Sequence, residues 1–385
     1  MSNALQAPLS LYIHLPWCVR KCPYCDFNSY TAGDKAPRAR YLNALKTDLA
    51  AEAERAGERP LVSLFLGGGT PSLFTPDEIA GLLEAVRERY VLADDVEITM
   101  EANPGTVECG DPAGYRQAGV NRLSIGAQSF SPASLAVLGR IHSVEDISRA
   151  VHAATTAGFG NINIDLMYAL PGQDVTAALF DIEQAAGLEP QHLSWYQLTL
   201  EPNTVFHARP PAGLPGDDTS FDIQQRGQQR LAELGYEQYE VSAYARNDRR
   251  SVHNLNYWSF GDYLAVGAGA HGKITNDEGI WRYAKIANPQ QYMEQQEQGG
   301  DAPALKPVNK EDRLFEFLLN ALRLTDGFDE QLFEARTGLS ADSLRQRLEP
   351  VIKRELIVSQ GSGSWCVTPL GNRFLNDLQA EFLPD

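Results

Sequence analysis

Apolar positions along this chain follow two alternating patterns. Short β-rich runs recur at LSLYIHL (9–15), LVSLFL (61–66), VEITMEA (96–102), NRLSIGA (121–127), NINIDLM (161–167) and HLSWYQLTL (192–200). Between them apolar residues return at helical spacing, as in RARYLNALKTDLAAEAE, PASLAVLGR and SVEDISRAVHAATTAGF. The first of these predicts a helix over roughly 38–56. A later helix start is marked by Thr75 as N-cap, Pro76 at the first helical position and Glu78 at the third, the makings of a capping box. Six strand-then-helix units predict an α/β fold with a parallel sheet and helices outside it. Residues with chemical potential follow several strands: cysteines after the first, GGGTP after the second, EANPG after the third, GAQSF after the fourth. That placement fits a TIM-like barrel, whose active site gathers at the C-terminal strand ends, and six units give a partial (β/α)6 barrel rather than eight closed ones.

The pattern then changes. A Pro/Gly-rich loop, RPPAGLPGDD (209–218), is followed by a helical stretch, a strand over YEQYEVSAYA (236–245) and the segment SVHNLNYWSFGDYLAVGAGAHGK. From about residue 305, three helical patterns and a small hairpin within LIVSQGSGSWCVTPLG resemble a winged helix. The expected division is a barrel over 1–240, an extension over 241–304 that carries HNxxY and a glycine-rich turn, and a small C-terminal winged-helix-like domain over 305–385.

Composition narrows the class. With 385 residues, 43% hydrophobic and 22% charged, the chain can bury a large core without disulfides. Its net charge of −17 argues against a nucleic-acid partner held by bulk electrostatics. The N-terminal MSNALQAPLS lacks a basic segment followed by an apolar core, and no apolar run reaches the length of a membrane span. The expected compartment is the cytoplasm, with any membrane contact peripheral. Three of the five cysteines, Cys18, Cys22 and Cys25, fall within eight residues, whereas Cys109 and Cys366 are remote singles. Clustering of that kind in a reducing compartment points to a metal or redox centre.

The CxxxCxxC spacing suits iron–sulfur chemistry better than zinc. Structural zinc takes four ligands, commonly in CxxC pairs, and no second pair exists; His14 is near but falls inside the first predicted strand. A [4Fe–4S] cluster normally takes four thiolates, so three leave one iron open. An open iron can chelate an amine and a carboxylate, which the amino-acid end of S-adenosylmethionine (SAM) supplies. Other motifs keep two readings on residue chemistry alone. GGGTP (67–71) is either a tight βα turn or a loop whose backbone binds an amino group. Glu101, Gln128, Arg140 and Asp165 are either solvated polar groups or groups gathered at a barrel mouth; Arg140 also suits a porphyrin propionate. GAGAHG (267–272) matches G-x-G-x-x-G, but the residues C-terminal to it read as a hairpin, so a close-packed glycine turn is expected rather than a dinucleotide site. In HNLNYW (253–258), His253 and Tyr257 share a face if helical; they are either an aromatic cluster or ligands to a heme iron.

The Cys18-x-x-x-Cys22-x-x-Cys25 motif after a first strand, together with GGGTP, resembles the radical SAM superfamily. Over essentially the whole chain the sequence resembles the oxygen-independent coproporphyrinogen III oxidase family. The resemblance implies a [4Fe–4S] cluster on Cys18, Cys22 and Cys25. It implies a SAM site formed by Tyr12, Tyr24, Gly68, Gly69, Thr70 and Glu101, with Gln128, Arg140 and Asp165 matching positions that serve a second SAM in the dehydrogenases. Those dehydrogenases resemble CxxxCxxCxC, whereas here Phe27 stands at the last position. Phenylalanine can neither ligate nor shuttle hydrogen, so coproporphyrinogen III dehydrogenase activity is not expected, although the retained SAM residues keep that alternative open. The C-x-F ending, the length and HNxxY resemble the heme-chaperone branch of the family. That branch implies bound heme, with His253 and Tyr257 as ligands, and transfer to acceptors such as respiratory hemoproteins. A low-potential electron donor is implied too, and a homodimer is compatible with the branch.

Overall fold

A computed structural model describes residues 7–33, 36–105, 110–300 and 303–384; Cys109 lies outside them. Six strands follow one another with helices between: β1 (Leu9–Leu15), β2 (Leu61–Gly68), β3 (Leu92–Ala102), β4 (Arg122–Gln128), β5 (Ile162–Tyr168) and β6 (His192–Gln197). They pair in that order, all parallel. The expected partial barrel is therefore present, and it is wider than six strands. Further along come β7 (Glu237–Glu240), β8 (Ala243–Ala245), β9 (Asp262–Val266), β10 (His271–Asn276), β11 (Gly279–Ala284) and β12 (Lys306–Pro307). β9 lies parallel beside β1, making seven parallel strands, and β10, β11 and β12 continue antiparallel from it. At the other edge β8 runs antiparallel to β6, and β7 runs antiparallel to β8.

The stretch 236–245 is not one strand. It reverses at Val241–Ser242, where the Ser242 amide donates to Glu240 Oε1 at 3.0 Å, and its halves pair as a hairpin. A carboxylate closes this turn without glycine or proline, so the alternating pattern concealed it. The hairpin expected after GAGAHG is present as β10 and β11.

Outside the sheet, the helix Arg38–Ala56 buries Tyr41, Leu45, Leu49 and Ala56 along one stripe. The helix Pro76–Arg87 starts with the Thr75–Glu78 capping box, both of its hydrogen bonds formed. β1 buries Leu9, Leu11, Ile13 and Leu15 against these helices, while alternate residues Ser10, Tyr12 and His14 turn to the other face. On that inner face Tyr12 stacks on Phe65, Ser63 donates to Ser10, and Ser124 donates to Asp165. The barrel lumen is thus lined largely with polar side chains.

The short helix Val252–Trp258 closes the end of the lumen at the strand N-termini. Asn256 donates to Ser10, and Glu97 accepts from the backbone N–H groups of Val252 and His253. Beyond it the helices Lys310–Ala321, Glu330–Thr337 and Ala341–Lys353, with the hairpin Ile357–Gly361 and Ser364–Val367, bury a second core around Phe317, Phe333, Leu348 and Trp365. This unit packs on the closing helix: the Arg323 guanidinium lies 4.3 Å from the Trp258 ring, and Arg336 donates to the Ser259 carbonyl. Among the described residues no helix is long and apolar enough to cross a membrane.

Candidate functional site

At the opposite end, where the parallel strands finish, a cavity of about 400 Å³ opens. Cys18, Cys22 and Cys25 line it from the loop after β1. Gly68, Gly69 and Thr70 line it from the loop after β2, Glu101 from the end of β3, and Gln128 from the end of β4. Asp165 from β5, Arg140 and Tyr24 line it as well. Eleven expected residues therefore share one space, although they span more than 140 positions of the chain.

The GGGTP loop is fixed by sterics. Gly68 has φ +116°, and a Cβ there would lie 2.4 Å from the His14 ring; a Cβ on Gly69 would lie 2.6 Å from the Trp17 carbonyl oxygen. The loop's N–H groups are already committed: Gly68 donates to Glu101 Oε2 (3.0 Å), Gly69 to the Leu15 carbonyl and Thr70 to the Trp17 carbonyl (2.8 Å each). What such a loop, with Glu101 beside it, can offer a ligand is acceptor oxygen, which suits an ammonium group.

Charges around the cavity are strongly tuned. Burial, reinforced by the neighbouring Asp165 carboxylate, raises the Glu101 pKa to about 7, while the Gly68 N–H opposes it. Burial also raises Asp165, against the hydrogen bonds it accepts from Asn163 (2.8 Å) and Ser124 (3.0 Å). Arg140 donates to Asn103 Oδ1 (2.6 Å) and to the Gly126 carbonyl (2.9 Å), and its Nη1 lies 3.6 Å from Cys22 Sγ. Burial pushes the Cys25 thiol up, opposed by the Ser29 hydroxyl 3.7 Å from its sulfur and by Lys21.

The donor set fits an iron–sulfur cluster. Three cysteines from one loop reach one cavity, with a guanidinium beside one sulfur and a hydroxyl beside another, both able to donate to bound thiolates. Phe27 borders the same cavity with 58% of its surface exposed. Its ring supplies no ligand.

Three expected residues lie elsewhere. Tyr12 is inside the lumen below the cavity, its hydroxyl 3.0 Å from His14 Nδ1. His253 and Tyr257 are on the closing helix at the far end of the barrel. The His253 ring turns inward between Phe65 and Tyr12, with Nδ1 3.0 Å from the Ser63 hydroxyl. Burial, with help from Arg122, lowers its pKa to about 3, so the ring is neutral. Tyr257 is half-exposed and packs against Trp258 and Tyr263. Asn103 and Tyr196 are among the cavity residues that escaped the sequence reading. Asn103 bridges Arg140 and the Thr70 hydroxyl, and Tyr196 donates to Gln128 Oε1 at 2.7 Å. Asn103 stands in EANPG, so its place after a strand was available as a signal; Tyr196 was hidden among the apolar residues of its strand.

Comparison with known proteins agrees with this geometry. A model of the radical SAM superfamily matches residues 12–178, and one of the HemN C-terminal domain matches residues 308–374. The chain is 47% identical to the heme chaperone HemW of Haemophilus influenzae over 98% of both chains. It is 47% identical to that of Escherichia coli over 98% of this chain and 99% of the other, and 31% identical to that of Bacillus subtilis over 97% and 99%. Among solved structures, the radical SAM coproporphyrinogen III oxidase HemN of Escherichia coli superposes with a TM-score of 0.82 at 25% identity, covering 99% of this chain and 91% of that one. Matched in sequence from end to end, and sharing the fold that gathers the cysteine loop and GGGTP at one barrel mouth, the chain belongs to the HemW family of the radical SAM superfamily.

Proposed function

We propose that the protein is a heme chaperone that carries a [4Fe–4S] cluster and SAM, binds heme and passes it to acceptor hemoproteins. The observation that carries this reading is Phe27, an exposed ring on the rim of a cavity otherwise equipped for cluster and SAM. The similarity over full length to named heme chaperones supports it. Cys18, Cys22 and Cys25 would hold the cluster; Glu101 and the acceptor atoms of the Gly68–Thr70 loop would bind the amino group of SAM. Tyr24, Gln128, Arg140 and Asp165 line the remainder, with Tyr12 beneath. When bound, the cluster and SAM together supply one-electron reductive cleavage of a sulfonium.

In this reading heme is held at the far end of the barrel. His253 and Tyr257 share a helix wedged between the lumen and the C-terminal unit over 305–385. The neutral imidazole keeps its lone pair for iron, and Tyr257, the more exposed of the two residues, is the more accessible ligand. The barrel over 1–240 then serves the cluster, and the extension over 241–304 serves heme. Respiratory hemoproteins are the proposed acceptors, with a low-potential electron donor and a homodimer as assembly partners. The three-thiol site calls for a reducing compartment, hence the cytoplasm with peripheral membrane contact.

A second reading, coproporphyrinogen III dehydrogenase, draws on the likeness to HemN and the intact polar lining. The chaperone reading is tested by heme transfer. Heme-loaded protein is mixed with an apo-hemoprotein, and the acceptor's absorbance spectrum is followed. Transfer faster than from free heme supports the reading, and the absence of heme binding overturns it.

A further inference from the structure

The glycine turn GAGAHG, which leads into a hairpin rather than a helix, has another use. The end of the cysteine loop is held against it by Asn28, and the Tyr30 hydroxyl donates to Ala287 as well. Asn28 Nδ2 donates to the carbonyls of Ala268 (2.9 Å) and Ala287 (2.8 Å), and Asn28 Oδ1 accepts from the Tyr30 hydroxyl. A Cβ on Gly269, at φ +77°, would stand 2.3 Å from Asn28 Nδ2. One on Gly267, at φ +103°, would stand 2.5 Å from the His14 carbonyl oxygen. Only glycine lets the turn approach this closely.

The backbone carbonyl of Asn28 is held as well. It accepts from His14 Nε2 at 2.9 Å. A carbonyl cannot donate, so His14 carries its proton on Nε2, and Nδ1 of the neutral ring accepts from the Tyr12 hydroxyl. The tautomer is thereby fixed, and burial lowers the His14 pKa and keeps the ring neutral. The other side of the same imidazole lies against Gly68, in the GGGTP loop. One ring therefore spans the two loops that meet at the cavity. On either side of Asn28, Lys21 Nζ binds the carbonyls of Phe27 (3.0 Å) and Ser29 (3.2 Å), and Ser29 Oγ reaches Cys25 Sγ.

We propose that Asn28 and His14 are positioning residues which set the distance between the cysteine loop and the GGGTP loop, and so between the cluster and the amino-acid end of SAM. The inference rests on the reading of Cys18, Cys22 and Cys25 as cluster ligands. It is tested on the full chain, reconstituted anaerobically with iron and sulfide, by comparing wild type with Asn28→Asp, His14→Leu and His14→Gln. Asn28→Asp keeps the shape but turns a carboxylate toward two carbonyls. The readouts are iron retained against a chelator, the change that SAM induces in the EPR spectrum of the reduced cluster, and the melting temperature of the iron-free chain. Asn28→Asp and His14→Leu should weaken iron retention roughly 10- to 100-fold and blunt the SAM-induced change, with the iron-free melting temperature close to wild type. His14→Gln, whose amide both donates and accepts, should restore most of both. Wild-type retention and EPR response in Asn28→Asp and His14→Leu overturn the proposal. So does a fall in iron-free stability that parallels the iron loss, since a merely structural role predicts that. If His14→Leu does not fold, the partly exposed Asn28→Asp decides alone. A wild type that holds no iron refutes the cluster reading instead, which keeps the two failures apart.

Discussion

Glu101 offers a test in which stability and binding move in opposite directions. Its folded pKa is raised from 4.5 to about 7 by burial and by Asp165. A shift of that size favours the neutral acid by on the order of 3 kcal/mol. Linkage gives the sign: the contribution to stability is complete below the unfolded pKa and is lost as pH rises through 7. Glu101→Gln keeps an acceptor for the Gly68 N–H but removes the ionisation. The ligand-free variant should therefore melt higher than wild type at pH 8, by about a few degrees, and no higher at pH 4.5. Binding should behave in the opposite way. An ammonium beside Glu101 pulls its pKa down, so SAM binding releases a proton when the starting pH is below 7. Affinity should weaken about tenfold for each pH unit below 7 and level off above 8, and Glu101→Gln should lose both the affinity and its pH dependence. Calorimetric melts of the iron-free chain and SAM titrations of the reconstituted protein read the two effects. A variant that melts lower than wild type at pH 8, or SAM affinity that is flat from pH 6 to 8, would refute the reasoning.

Other positions give sharper local outcomes. Gly68→Ala forces a methyl into the His14 ring at a positive φ, so it should destabilise the chain by about 2 kcal/mol or more and abolish SAM binding, measured by melting and titration. Tyr257→Phe should weaken heme binding more than His253→Ala does, because Tyr257 is the more exposed residue while His253 Nδ1 is held by Ser63; Soret-band titrations compare them. Lys273→Met takes from the buried Asp262 its Nζ partner, leaving the Arg59 ion pair, and should lower stability by roughly 3 kcal/mol, seen as a reduced melting temperature with the iron content unchanged.

Much of this molecule was legible because local and tertiary signals coincide. The helix over 38–56 and the capping box at Thr75 are local, and they form as written. The site was legible because a parallel barrel brings successive strand ends to one mouth, so CPYC, GGGTP and Glu101 could be placed together before any distance was known. The reversal at Val241–Ser242 was not legible, since a carboxylate, not a turn residue, makes it. Nor was the parallel partner β9, because paired residues such as Leu9 and Asp262 stand 253 positions apart and pairing over that span leaves no local trace. The inward turn of His253 depends on Ser63, 190 positions earlier, and no spacing rule contains that contact. Polar residues alternating along β1, β3 and β5 were a usable signal of the lumen, although the strands were read for their apolar positions alone.

The central claim is that a cluster-and-SAM barrel serves heme delivery once the extra cysteine is replaced by Phe27. The most direct measurement offers reconstituted protein, with SAM and a low-potential reductant, both coproporphyrinogen III and heme under anaerobic conditions. Porphyrin products and bound heme are then quantified from the same reaction. Heme should be bound in proportion to protein, with no protoporphyrinogen IX formed. Multiple turnovers of coproporphyrinogen III to protoporphyrinogen IX would contradict the claim.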